Sequence, residues 1–263
     1  MKNIFSIAAA LLCLSGLAVF AQKGDLNQDL ELVAAGQAEL SYTFETVDHE
    51  GNMVTVAVDA PNANPIPDRP WDDPEHPLFV LEQDEFEKSP NAVHKASYVV
   101  SVYAVGDEEF RANYSNWTST VNNIIESADN AYWRDYRINW VIDSYWTWTS
   151  TGSSASAILG NLASATSGFG NGLVMGFSDD SNFGAGGIAY VYGSNPGLGV
   201  SVCLDQGTSS TVYALRHEAG HNYSCSHDFG STVCMMNYTY AYSVDYFDSS
   251  HDSDVNNHKA WFN

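Results

Sequence analysis

Apolar residues recur along this chain with a period that changes from segment to segment. Near the N-terminus, Met53-Val54-Thr55-Val56-Ala57-Val58 alternates within Ser41 to Asp59, which predicts a small hairpin around Gly51. From Ala96 the pattern becomes regular. Tyr98 to Val105 is an apolar run of strand length, and a helical period from Thr118 to Arg134 places Val121, Ile124, Ile125, Ala128 and Tyr132 on one face. Ile138 to Trp148, Gly172 to Phe177, Gly187 to Tyr192 and Gly199 to Leu204 read as further strands, and Ser154 to Ala165 as another helix. A last helix, which Thr208, Ser209 or Ser210 can cap, carries Val212 and Leu215 and ends near Tyr223. Strands alternating with helices predict an α/β domain.

Composition divides the chain before that domain. Lys2, the apolar run Ile4 to Phe20 and the small residues before Gln22 predict a secretory signal peptide over 1–21, hence an extracellular protein. A membrane anchor is the competing reading, but the run is short and no other long apolar stretch occurs, so no membrane insertion is expected after processing. Residues 22–95 hold most of the prolines and many acids, which suggests a cleavable propeptide, with a permanent extension as the alternative. Residues 96–263 then form the main domain.

A net charge of -22 repels phosphate backbones and anionic headgroups, so nucleic acid is excluded as a partner. The acids are spread over both halves and read as a solubility feature; whether calcium binds some of the Asp residues stays open. After processing, Cys203, Cys225 and Cys234 remain in a compartment where disulfides persist. One bridge is expected, Cys225 with Cys234 in preference to Cys203 with Cys234.

The chemistry concentrates in His217-Glu218-Ala219-Gly220-His221 and the following His227. Two histidines one helical turn apart, about 6 Å along the axis, can reach one metal, while Glu218 is rotated by about 100° and can take a proton from a water that zinc activates. Were the helix to continue, His227 would lie roughly 15 Å further on, so the chain must turn back after His221. Three imidazoles leave a coordination position open, the arrangement of catalytic zinc. No Glu follows Glu218, which leaves His227 as third ligand, with Asp228 or Asp245 as weaker candidates.

These residues resemble the metzincin zinc peptidases, most closely the adamalysin or reprolysin type, with Asn222 after the second His, Asp228 after the third and Cys234-Met235-Met236 as the methionine turn. The resemblance runs from about Ala96 to the end. It implies a twisted, mostly parallel sheet with an active-site helix, a small C-terminal subdomain and an edge strand over the cleft, Gly187-Ile188-Ala189-Tyr190-Val191, that pairs with extended peptide. It further implies one catalytic Zn2+, Met236 as the floor beneath the ligands, Asp228 as a brace for that floor, and a monomer acting on protein or peptide substrates.

Two positions depart from the pattern. Ser224 stands where the family has Gly, at a turn whose left-handed conformation costs other residues roughly 1 kcal/mol or more. Tyr238 resembles the tyrosine of the astacin and serralysin branches, a fifth ligand or oxyanion donor, with a packing role as the alternative. The N-terminal unit has no cysteine after Cys13, so an inhibitory role there would use Asp, His or occlusion. The expected activity is zinc-dependent endopeptidase; the alternatives are a catalytically weak zinc-binding protein, motivated by Ser224, and a zinc hydrolase for a non-peptide bond.

Overall fold

A computed structural model describes residues 41–48, 50–63 and 98–263. The expected leader 1–21, with Cys13, and most of the 22–95 unit lie outside the described residues. A seven-stranded sheet carries the fold: β1 (Ser41–Val47), β2 (Met53–Asp59), β3 (Tyr98–Gly106), β4 (Ile138–Thr147), β5 (Gly172–Ser178), β6 (Gly187–Val191) and β7 (Leu198–Leu204). Their order across the sheet is β1-β2-β6-β7-β5-β3-β4. Strands β7, β5, β3 and β4 are parallel neighbours, and β6 joins β7 antiparallel, which is the mostly parallel sheet expected of the main domain.

Six helices accompany it among the described residues: α1 (Glu108–Asn113), α2 (Trp117–Tyr136), α3 (Ala155–Thr166), α4 (Thr208–Asn222), α5 (Tyr238–Ala241) and α6 (Ser249–His258). The apolar face foreseen on α2 is buried against α4 and one side of the sheet, where Leu173, Met175 and Phe177 of β5 point. Val174 of the same strand points to the other side and meets Ile158, Leu159 and Leu162 of α3. Alternation between two covered faces is why β5 reads as a continuous apolar run. Arg216, buried on α4, donates to the carbonyls of Ser127 and Ala128, and the Tyr132 hydroxyl donates to the carbonyl of Arg216; these bonds tie α4 to α2.

In two places the structure departs from the sequence expectations. The first residue bounding α4 is Gly207, with φ 79°, rather than a hydroxyl cap from Thr208, Ser209 or Ser210. More consequentially, β6 is not an edge strand. Residues 55–59 of β2 pair antiparallel with Gly187 to Val191, so the N-terminal hairpin occupies the edge expected to receive peptide. The hairpin itself, β1 with β2, forms as the alternation predicts.

The turn after α4 takes the left-handed conformation at Ser224. Ser224 adopts φ 78°, its amide donates to the His221 carbonyl, and the Cys225 amide donates to the Gly220 carbonyl, the pair of bonds that closes a Schellman cap. Fully burying a large apolar side chain such as Ile124 or Leu215 contributes roughly 1.5–3 kcal/mol, so packing readily outweighs the left-handed cost at one serine. Replacing Ser224 by Gly should therefore raise stability by about 0.5–1 kcal/mol, or roughly 2 °C in Tm. Differential scanning calorimetry of the two proteins tests this; an unchanged or lower Tm would show that Ser224 carries no strain.

Candidate metal centre

His217 and His221 project from the same face of α4, with their Nε2 atoms 3.0 Å apart, and the Schellman turn returns the chain so that His227 Nε2 lies 3.1 Å from His221 Nε2. The other ring nitrogens explain what these three atoms are for. His217 Nδ1 lies 2.6 Å from the Met235 carbonyl and His221 Nδ1 lies 2.8 Å from the Cys225 carbonyl. A carbonyl only accepts, so each Nδ1 carries the proton and each neutral ring turns an Nε2 lone pair toward the other. Two such lone pairs repel at that distance unless a proton or a metal cation lies between them. The donor set therefore fits a zinc ion with three histidines, the ligand type and number foreseen from the motif.

A fourth donor comes from outside the motif. Asp59, the last residue of β2, is buried and places its carboxylate oxygens 3.2 Å from His217 Nε2, 3.6 Å from His221 Nε2 and 3.1 Å from His227 Nε2. Burial opposes its charge, but the imidazoles of His217 and His227 outweigh that and hold the carboxyl well below its ordinary range. Burial likewise opposes protonation of His217, and the Asp59 charge overcomes it, raising His217. His221, with burial the largest influence, is pushed down to about 3. Neither Asp228 nor Asp245 belongs to this group.

Glu218 sits beside the centre with its carboxyl buried against the Asp59 carboxylate, the two sharing a hydrogen bond. Burial first, and the adjacent Asp59 second, push its carboxyl well above the usual range. The space it occupies exists because residue 187 is glycine: a Cβ there would fall 2.0 Å from Glu218 Oε1 and 2.6 Å from Cδ. A second close approach defines the floor. A Cβ on Gly220 would lie 2.6 Å from Met236 Sδ, which places the buried Met236 directly beneath the helix turn that carries the ligands. The Asp228 amide donates to the Met236 carbonyl, so Asp228 supports that floor through its backbone, while its side chain points to His251.

Tyr238 does not reach the histidines in this structure. Its hydroxyl donates to the carbonyl of Pro61, 2.6 Å away, two residues beyond Asp59. The three described cysteines are free thiols, so neither expected bridge is formed. Cys203 is buried in the sheet on β7, whereas Cys225 and Cys234 lie near His251. Asp59 is the site residue that the motif did not reveal. Its one signal in the sequence is a carboxylate closing an alternating strand in a segment without cysteine.

The arrangement can bind a divalent cation and hold one carboxyl where a water beside that cation would give up a proton. Substituting Gly187 by Ala should displace Glu218 without touching a metal ligand. Metal content, read by inductively coupled plasma spectrometry, is expected to stay at the wild-type level, while turnover falls on the order of 100-fold. Retained turnover would mean that Glu218 tolerates the displacement.

Comparison with known proteins agrees with this geometry. No curated protein matches the chain. A solved structure described as metalloproteinase-II from Bacteroides fragilis is 17% identical, with a TM-score of 0.42, over 63% of this chain and 55% of that one. This chain thus spans about half of that protein's length, and a likeness so distant adds nothing to the argument. Among the described residues no helix is long and apolar enough to cross a membrane. Residues 96–258, well over half of the chain and containing every histidine of the centre, match the Reprolysin_5 family model. The chain belongs to metallo-peptidase family M12.

Proposed function

We propose that this protein is the latent form of a secreted zinc endopeptidase, in which His217, His221 and His227 hold the metal and Glu218 is the general base. The observation that carries the reading is the convergence of three Nε2 atoms, two of them oriented by carbonyl-bound Nδ1 atoms, with the buried Glu218 carboxyl beside them. Zinc held there would supply Lewis-acid polarisation of the scissile carbonyl and a more acidic water. Glu218 takes the proton of the attacking water and passes it to the leaving amine. The backbone of β6 offers main-chain hydrogen bonds to an extended substrate, the recognition mode that favours peptide over a non-peptide bond.

Latency follows from what occupies these groups. The hairpin β1–β2 pairs with β6, Asp59 lies at the ligand atoms, and Pro61 engages Tyr238, so peptide, metal and phenol are all engaged by one N-terminal segment. Cleavage between residues 63 and 98 and departure of the segment would free all three. Tyr238 already donates to a peptide carbonyl, the group it would meet as an oxyanion donor. The reading of a weak zinc-binding protein loses one of its two motives, because Ser224 adopts the left-handed conformation that the turn requires, while the odd cysteine count stands.

Two measurements test this with denatured casein and zinc-loaded protein. In the processed form, Glu218→Gln should lower hydrolysis by at least about 100-fold while zinc is retained; full activity in that variant would refute the mechanism. In the intact chain, Asp59→Ala should raise hydrolysis by about tenfold, since loss of one buried charge partner is worth about 1–3 kcal/mol. Equal activity before and after that substitution would remove Asp59 from the account of latency.

A further inference from the structure

Behind the floor residue Met236 lies a second convergence of metal-binding side chains. We propose that Asp228, Cys234, Asp248 and His251 form a second divalent-cation site, of the zinc class, that fastens the methionine turn to the C-terminal helix. One ligand atom from each of the four lies within 4.8 Å of the others. They come from three separate stretches of chain: Asp228 follows the third histidine, Cys234 opens the methionine turn, and Asp248 and His251 are the cap and first turn of α6.

The distances to sulfur suit a shared ion, while the 2.8 Å between His251 Nδ1 and Asp248 Oδ1 is that of a hydrogen bond and would lengthen on binding. His251 Nδ1 is 3.4 Å from Cys234 Sγ, 2.8 Å from Asp248 Oδ1 and 3.5 Å from Asp228 Oδ2, and Cys234 Sγ is 3.8 Å from Asp248 Oδ1. Tetrahedral zinc, with Zn–S of about 2.3 Å and Zn–N or Zn–O of about 2.0–2.1 Å, sets ligand separations of about 3.6 Å to sulfur and about 3.4 Å between N and O. Hydrogen bonding satisfies the cluster only in part: the His251 Nδ1 atom and the Cys234 thiol supply one proton each to two carboxylates, and Asp228 Oδ2 is buried without a hydrogen bond. Cys234 Sγ also accepts from the amides of Met236, at 3.4 Å, and Asp248, at 3.3 Å, while burial, the larger influence, pushes the thiol up to about 11, so a bound cation would have to displace its proton. A soft thiolate with an imidazole and two carboxylates selects a zinc-like transition ion over calcium or magnesium.

The site is separate from the His217 centre although one segment serves both. At the bridge between Asp228 and Asn237 the backbone is strand-like, so consecutive side chains turn opposite ways: His227 toward the first centre, Asp228 toward the second. A second ion would thus lock, from behind, the strand segment that delivers the third histidine and the turn that supplies Met236. The proposal does not rest on peptidase activity; a chain inactive on casein could hold both ions.

Cobalt distinguishes the two centres, because only the second contains sulfur. The intact chain, prepared without metal and loaded with Co2+, should bind two ions and show a sulfur-to-cobalt charge-transfer band in the near ultraviolet. Cys234→Ser should bind one ion and lose the band, His251→Ala should do the same, and His221→Ala should lose the other ion and keep the band. One cobalt per chain without a sulfur band, a band that vanishes with His221→Ala, or a Cys225–Cys234 disulfide in an unreduced peptide map would each overturn the proposal. The wild-type stoichiometry and spectrum decide even where a variant fails to fold.

Discussion

Two hydrogen bonds to backbone carbonyls govern the centre: His217 Nδ1 to Met235 and His221 Nδ1 to Cys225. Each fixes a tautomer and a ring plane at once, and neither carbonyl belongs to α4. The helix alone sets the spacing of the two imidazoles along its axis, but it cannot decide which nitrogen points inward. That decision is made by the methionine turn, through the Met235 carbonyl, and the Schellman turn, through the Cys225 carbonyl. The conformation of Ser224 and the packing of Met236 under Gly220 therefore matter to the metal without touching it. Hydrogen bonds from the ligand rings to backbone carbonyls are what convert a sequence motif into a binding geometry.

How much of this could be read beforehand depends on the range of the interaction. The period of Val121, Ile124, Ile125, Ala128 and Tyr132 reports a local helix with one buried face, and α2 follows it closely. The His217, His221 and His227 spacing is likewise local and survives intact. What the pattern could not carry was pairing between distant segments. Nothing in Met53 to Asp59 states that this strand adds to β6, more than a hundred residues away, or that Asp59 ends at the histidines. An alternating strand specifies that it has a covered face, not which neighbour covers its edge. The cysteines show the same limit: short spacing made Cys225 and Cys234 plausible bridge partners, whereas in the fold the Cys234 sulfur faces His251 and the carboxylates around it.

The N-terminal hairpin gains its hold by being covalently attached. Pairing of five residues of β2 with β6, one carboxylate at the histidines and the Tyr238 bond to Pro61 would be a modest interface between separate molecules. As part of one chain it acts at a high effective concentration, commonly in the millimolar range for short connections, so weak contacts suffice to keep the cleft filled. On the proposed reading, cutting the connection would leave the segment to compete as an ordinary peptide, and contacts this modest would let it go.

Asp59 and Glu218 then explain each other. They are two buried carboxyls around one centre, with influences of opposite direction: imidazoles hold Asp59 in its charged form, and that charge, added to burial, drives Glu218 toward its neutral form. A neutral carboxyl is a poor acceptor for a water proton, so on the proposed reading Asp59 also weakens Glu218 as a base. Removing the hairpin admits solvent and withdraws the opposing charge together, and both changes favour an ionised Glu218. The position of Asp59 thus acts on ligand atoms by contact and on the base by its field, and one displacement reverses both effects.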